Sequence, residues 1–166
     1  MTVVERDEQM NARYPGVVES VRVVGSVQIR NRATLAGNLC NASPAADTPP
    51  MLLALGASVE VSGPTGNRAI DLEHFFTGYL ETALGQGEIV RAVTIPKKGP
   101  RTGTAFLKLG VRKAMEISVV CVGAMVELAE DDSIRSAGIG LGSVAPTTVR
   151  ARGSVETLVG EMPTPK

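Results

Sequence analysis

Three apolar runs in the second half of the chain constrain its fold more than any other feature. They read TAFLKLGVRK from Thr104, ISVVCVGAMVELAE from Ile117 and SIRSAGIGLGSV from Ser133. All three are rich in β-branched and apolar residues, and only the turn-forming EDDS separates the second from the third. Strands joined by such short turns pair antiparallel, so the expected outcome is a meander. Just ahead lies KKGPRTG, Lys97 to Gly103, charged and rich in Gly and Pro, which reads as a linker. The chain therefore divides into about 1–98 and 99–166, and the fold class expected is α+β.

The first part mixes periods. Val17, Val18, Val21 and Val24 fall on one helical face, with Pro15 suited to the first turn. VQIRN is expected as a short extended piece. DTPPMLLALG reads as a helix, with Asp47 or Thr48 as cap, prolines in the first turn and Gly56 as stop. ASVEVSG and RAIDL read as strands joined by a GPTGN turn, LEHFFTGYL as a short helix, and EIVRAVTIP as another strand. RGSVETLVG begins a last helix.

Composition narrows the partners. Lys+Arg and Asp+Glu both number 17 and aromatics make up 3%, so no basic, aromatic-interleaved stripe marks a nucleic-acid partner. No run approaches the ~20 apolar residues of a membrane span, and the expected location is cytoplasmic. Two cysteines, Cys40 and Cys121, are too few for a disulfide scaffold and are expected as buried or partly buried thiols. With one histidine, His74, a metal site built from protein ligands alone is not expected.

Between the apolar segments lies RATLAGNLCNASPAAD, Arg32 to Asp47. Ala36 and Gly37 carry almost no side chain, so a ligand can approach the backbone, and Gly37 can take the positive φ of an anion-binding nest. Asn38 and Asn41 offer amides, Thr34 and Ser43 hydroxyls, and Asp47 one acceptor for a ribityl or ribose hydroxyl. This set suits a phosphate or a polyol. Against it stands a plainer reading in which the polar residues form turns with their own backbone and Asp47 only caps a helix. Neither GxGxxG nor a P-loop lysine is present.

GSVQIRNRATLAGNLCNASPAADTPPMLLALGA resembles the second flavin-contacting segment in the FAD-binding medium subunit of the molybdenum hydroxylase family. That family includes carbon monoxide dehydrogenase, 4-hydroxybenzoyl-CoA reductase and xanthine dehydrogenase. The similarity continues through FFTGYLETALGQGEIVRAVTIP and FLKLGVRKAMEISVV to GLGSVAPTTVRA, from Tyr14 onward. It implies the second subdomain of a vanillyl-oxidase-like FAD-binding fold, followed by a small antiparallel-sheet C-terminal flavoprotein domain.

Position by position, the resemblance places Ala33, Thr34, Gly37, Asn38, Asn41, Ser43 and Asp47 in the flavin-binding segment. Val90 matches an apolar contact to the flavin and Lys108 a basic residue at the cofactor. The cofactor implied is FAD, with iron-sulfur and molybdenum cofactors only in partners: an iron-sulfur small subunit and a molybdenum large subunit. The implied role is to pass electrons from a [2Fe-2S] cluster through FAD to an external acceptor, which asks for no catalytic acid or base in this chain.

Departures accompany it. The family's Gly-Gly is Ala36-Gly37 here, and the upstream FAD subdomain with its Gly-rich loop has no match before Tyr14. The chain is expected to be the middle and later part of a longer subunit. Two rival readings remain: a non-catalytic fragment that keeps the fold and docking surface without binding FAD alone, and a small-molecule or carbohydrate module. For Lys108 the residue alone implies a surface charge, for His74 a surface or packed side chain, and for Arg112 and Glu116, four apart, an ordinary surface ion pair.

Overall fold

The computed structural model describes residues 1–112 and 115–164. Short helices come first: α1 (Thr2–Arg6), α2 (Glu8–Arg13), α3 (Pro15–Arg22), α4 (Val27–Arg32), α5 (Leu35–Cys40) and α6 (Thr48–Ala54). β1 (Ser58–Gly63) and β2 (Gly66–Asp71) follow, then α7 (Leu72–Phe75), β3 (Phe76–Gly78), β4 (Glu81–Thr82) and β5 (Ile89–Thr94). The second part holds β6 (Thr102–Leu109), β7 (Val120–Leu128), β8 (Ile134–Gly142), β9 (Val149–Arg150) and α8 (Arg152–Glu156). The architecture is α+β. Among the described residues, no helix is long and apolar enough to cross a membrane.

The expected meander is present as an antiparallel sheet in the order β6-β7-β8-β9, and a second antiparallel sheet runs β2-β1-β5. The EDDS turn is held by Asp131, whose carboxylate accepts from the Ser133 amide and hydroxyl. Three expectations need correction. VQIRN is not extended: it forms α4, because the Ser26 hydroxyl accepts from the Ile29 amide and starts the turn. LEHFFTGYL is helical only through Phe75, after which Phe76–Gly78 pairs with Glu81–Thr82. Gly37 forms no positive-φ nest, since it lies inside α5.

One core joins both parts of the chain. Val17, Leu39, Met51, Leu52, Leu55, Val59, Phe75, Phe106, Cys121 and Met125 belong to a single buried cluster. α6 is buried all round and lies on the β7–β8 face. Glycines make that approach possible. A Cβ at Gly123 would stand 2.4 Å from the Met51 Cα, one at Gly138 1.9 Å from the Ala54 carbonyl oxygen, and one at Gly140 2.1 Å from that of Pro50. α3 covers the open edge of β6: the Gly16 amide donates to Thr104 Oγ1 at 3.0 Å, and the Phe106 amide donates to Glu19 Oε2 at 2.8 Å. The second contact occupies an amide that an edge strand otherwise leaves unpaired.

Candidate functional site

RATLAGNLCNASPAAD is a helix followed by a pinned turn. Thr34 caps α5, its hydroxyl accepting from the Gly37 amide at 2.9 Å. Ala33 ends α4 just ahead. Asn38 is half-buried, and its Oδ1 accepts from the Thr48 hydroxyl at 2.6 Å, so its NH2 group is turned away from that bond. Asn41 is exposed at the end of α5, and among the described residues no hydrogen bond engages its side chain. Ala42 follows with φ 47, bending the chain so that Ser43 and Pro44 meet the end of β8, where the Ser143 amide donates to the Pro44 carbonyl at 2.9 Å.

Asp47 overturns the capping expectation. It stands at the N-cap position of α6, yet its carboxylate makes no cap bond. The reason is covalent: the second and third helical residues are Pro49 and Pro50, which have no N–H to donate. The side chain turns instead to the meander. Its Oδ1 accepts from the Ser118 hydroxyl at 2.9 Å and lies 3.0 Å from Lys108 Nζ, and its Oδ2 lies 3.2 Å from the same nitrogen. Lys108 Nζ also donates to the Glu116 carbonyl at 3.1 Å.

Lys108 is therefore no surface charge. Its side chain is 9% exposed and that of Asp47 8%, an almost dry ion pair. Burial pushes the Asp47 carboxyl above the usual carboxylate range, while hydrogen bonds from Lys108 and Ser118 pull it back. Cys121 pairs with Lys108 across the β6–β7 ladder, and burial beside the Asp47 charge pushes its thiol up to about 11. Cys121 is buried and Cys40 half-buried, both free, as expected.

The structure thus links Asn38, through Thr48 and Asp47, to Lys108. Val90 reaches the neighbourhood differently, half-buried against the core from β5, the strand on which α5 packs. The surface ion pair expected between Arg112 and Glu116 is not among the ion pairs of the described residues. The Arg112 guanidinium donates to the Met115 carbonyl at 2.9 Å, and the Glu116 carboxylate takes the Arg112 backbone amide. His74 is exposed on α7.

Two features escaped the sequence. Ser118 is buried at 5% exposure but precedes β7, so strand alternation gives no hint of its direction. Beside the ion pair opens a cavity of about 550 Å³, whose lining includes Arg22, Gly25, Ser26, Arg30, Lys108, Arg112 and Glu116. Of its four cations, Arg30 and Lys108 are paired with Glu5 and Asp47, which leaves Arg22 and Arg112 against the Glu116 carboxylate. Arg30 is held there by Glu5 at 3.0 Å and by the Val24 carbonyl at 3.1 Å.

An α+β core with uncommitted amides on α5 and a buried, charge-paired lysine lining a cavity offers groups that could hold a cofactor. The chain belongs to the family described as the FAD binding domain in molybdopterin dehydrogenase, which matches residues 1–98. Residues 105–166 match the CO dehydrogenase flavoprotein C-terminal domain.

Caffeine dehydrogenase subunit beta of Pseudomonas sp. (strain CBB1) is 35% identical over 95% of this chain and 53% of its own length. Reconstituted CO dehydrogenase from Oligotropha carboxidovorans contains a chain that superposes with TM-score 0.90 at 30% identity, over 96% of this chain and 55% of that one. For quinoline 2-oxidoreductase from Pseudomonas putida 86 the TM-score is 0.86 at 26% identity, over 98% and 56%. The chain spans about half the length of such relatives.

FAD is the cofactor named for this family, and the donor set fits it. The Asn38 and Asn41 amides and the Ser43 hydroxyl offer the directed donors that a ribityl-pyrophosphate arm requires. Exposed Gly37 adds no side chain between such a ligand and the α5 backbone.

Proposed function

We propose that the chain is the flavoprotein component of a molybdenum-hydroxylase-type oxidoreductase. When bound, FAD would supply the redox chemistry that carries electrons from a [2Fe-2S] cluster in a small partner subunit to an external acceptor such as NAD, a quinone or oxygen. Substrate hydroxylation belongs to a molybdenum-bearing large partner, and the setting is cytoplasmic. The family match supports this reading, as do the names of the relatives, which are subunits of dehydrogenases.

The observation that carries it is the run of free donors on α5 and its following turn, fixed beside the Asp47–Lys108 pair. In this reading Ala33, Thr34 and Gly37 let the cofactor approach the backbone. Asn38, Asn41 and Ser43 bind its polyol and phosphates, Val90 meets the ring, and Lys108 sets the local charge. Asp47 takes part through Lys108, because both of its oxygens are occupied. Residues 1–98 serve as the FAD-binding subdomain and 99–166 as the C-terminal flavoprotein domain.

The test is the visible absorbance of added FAD. The chain is expected to shift and sharpen the flavin bands, and Asn38→Ala to weaken binding about ten-fold, the worth of one good hydrogen bond. FAD bands unperturbed by the chain, even with a relative's upstream FAD subdomain supplied in trans, would sink the reading.

A further inference from the structure

We propose that Ser118 is a positioning residue: it fixes the Asp47 carboxylate against Lys108, so that the lysine is presented to the cofactor wall as a held, charge-paired ammonium. The clause about the cofactor rests on the flavin reading above. The assignment of Ser118 rests on geometry within this chain.

Both oxygens of the Asp47 carboxylate are engaged. The Ser118 hydroxyl donates to Asp47 Oδ1 at 2.9 Å, and Lys108 Nζ stands 3.0 Å and 3.2 Å from the two carboxylate oxygens. An ammonium has three donors. Asp47 and the Glu116 carbonyl take two, which leaves one N–H for the cavity that Lys108 lines. A four-carbon stem does not hold that direction by itself, since lysine loses substantial rotamer freedom when fixed. The carboxylate that fixes it needs its own anchor, because prolines at Pro49 and Pro50 deny it the helix amides. Ser118 is that anchor.

The arrangement also sets charge. With Asp47 ionised, the pair is neutral; with Asp47 protonated, the wall carries one uncompensated positive charge. The groups facing Asp47 are Lys108 from β6, Ser118 and Glu116 from the segment ahead of β7, and Cys121 from β7. Burial and Glu116 favour the protonated form, while Lys108 and Ser118 favour the ionised one. Loss of the Ser118 hydroxyl therefore moves protonation of Asp47, and with it the charge on the wall, to higher pH.

The experiment is a carbon-13 NMR titration of the Asp47 carboxyl in the chain, in wild type, Ser118→Ala and Ser118→Thr, with circular dichroism confirming that each folds. Ser118→Ala is expected to bind the Asp47 proton about ten-fold more tightly, one pH unit on the midpoint. Ser118→Thr, which keeps the hydroxyl, is expected to restore the wild-type midpoint. Equal midpoints in wild type and Ser118→Ala overturn the proposal. So does a raised midpoint that Ser118→Thr leaves unrestored, because a purely packing effect then explains it. FAD is titrated separately by absorbance. A shifted midpoint in a chain that does not bind FAD, even with the upstream FAD subdomain supplied in trans, supports the Ser118 assignment and sinks the flavin reading, whereas FAD binding with an unmoved midpoint overturns Ser118 alone.

Discussion

Replacing Gly140 with alanine tests the contact that joins the two parts of the chain. The added Cβ would stand 2.1 Å from the Pro50 carbonyl oxygen, 2.8 Å from its carbon and 3.0 Å from its Cα. These are backbone atoms, so no rotamer change relieves the clash. Reaching ordinary contact at about 3.5 Å requires α6 and β8 to separate by more than 1 Å. α6 cannot retreat easily, because Met51, Leu52 and Leu53 are almost fully buried on its other faces. Overpacking of this kind costs about 1–3 kcal/mol, against the 0.5–1 kcal/mol that alanine typically returns over glycine in a strand. The upper end applies here, for a net loss of about 2 kcal/mol. In a domain of this size that lowers Tm by roughly 4–8 °C and the urea midpoint by about 1 M, with the m-value unchanged. Gly103→Ala is the control: nothing lies within 4 Å of its added Cβ, so it is expected to be neutral or slightly stabilising. A Gly140→Ala variant within about 0.5 kcal/mol of wild type refutes the idea that α6 rests directly on the sheet backbone.

Thr34→Ala removes the cap acceptor of α5 and is expected to cost about 1 kcal/mol locally, read as faster hydrogen exchange at the Gly37 amide; unchanged exchange there contradicts the cap. Asp47→Ala takes the shared acceptor from Lys108 and Ser118 and is expected to lose about 1–3 kcal/mol, whereas the double variant Asp47→Leu/Lys108→Met comes out near neutral in urea denaturation. A mild single and a severe double variant would reverse that logic. Two carboxyls act oppositely in acid. Arg68 and the Gly85 amide hold Glu88 at about 2, below its ordinary 4.5, so its contribution is present above 4.5 and is lost as pH falls towards 2. Asp47, raised by burial, weighs on the folded state above its folded value and is relieved as pH falls towards 3.8. Urea midpoints across an acid series are therefore expected to lose the Glu88 limb in Glu88→Gln. They are expected to lose the Asp47 relief in Asp47→Asn, and an unchanged profile in either variant counts against the assignment.

What was legible in the sequence depended on how far packing imposes a period. The valines of α3 and the apolar run of α6 show their burial in their spacing, and β7 and β8 show theirs as apolar strand runs, whereas the apolar run of β6 leaves Leu107 and Leu109 exposed. The short helices α2, α4 and α5 carry no such stripe, with at most one buried residue each among those described. Their starts are set instead by single hydrogen bonds of one kind. Asp7 accepts from the Met10 amide, Ser26 from Ile29 and Thr34 from Gly37. Each signal is an ordinary N-cap residue three positions ahead of an amide, but polar surroundings make it indistinguishable from a turn until tertiary contacts choose. Arg30 illustrates such contacts: from α4 it reaches the Glu5 carboxylate, 25 residues away, a partner that local spacing does not reveal.

The site was half legible, and the proline pair explains why. Asp47 before Thr48-Pro49-Pro50 has the composition of a helix start, and the helix does start there. A cap, however, needs an N–H at the second or third helical residue, and this sequence has removed both. The same two prolines that favour the first turn of α6 thus release its N-cap carboxylate from the helix. Once released and buried, that carboxylate needs a cation and a hydroxyl, which β6 and the segment before β7 provide through Lys108 and Ser118. The sequence therefore contained the negative half of the argument, that Asp47 does not cap. The positive half, where it goes instead, required the register that sets Lys108 beside Cys121 and the glycine-floored packing that brings α6 onto the sheet. The fold and the ion pair are one construction: the glycines that let α6 settle on β7 and β8 also bring Asp47 within 3.0 Å of Lys108.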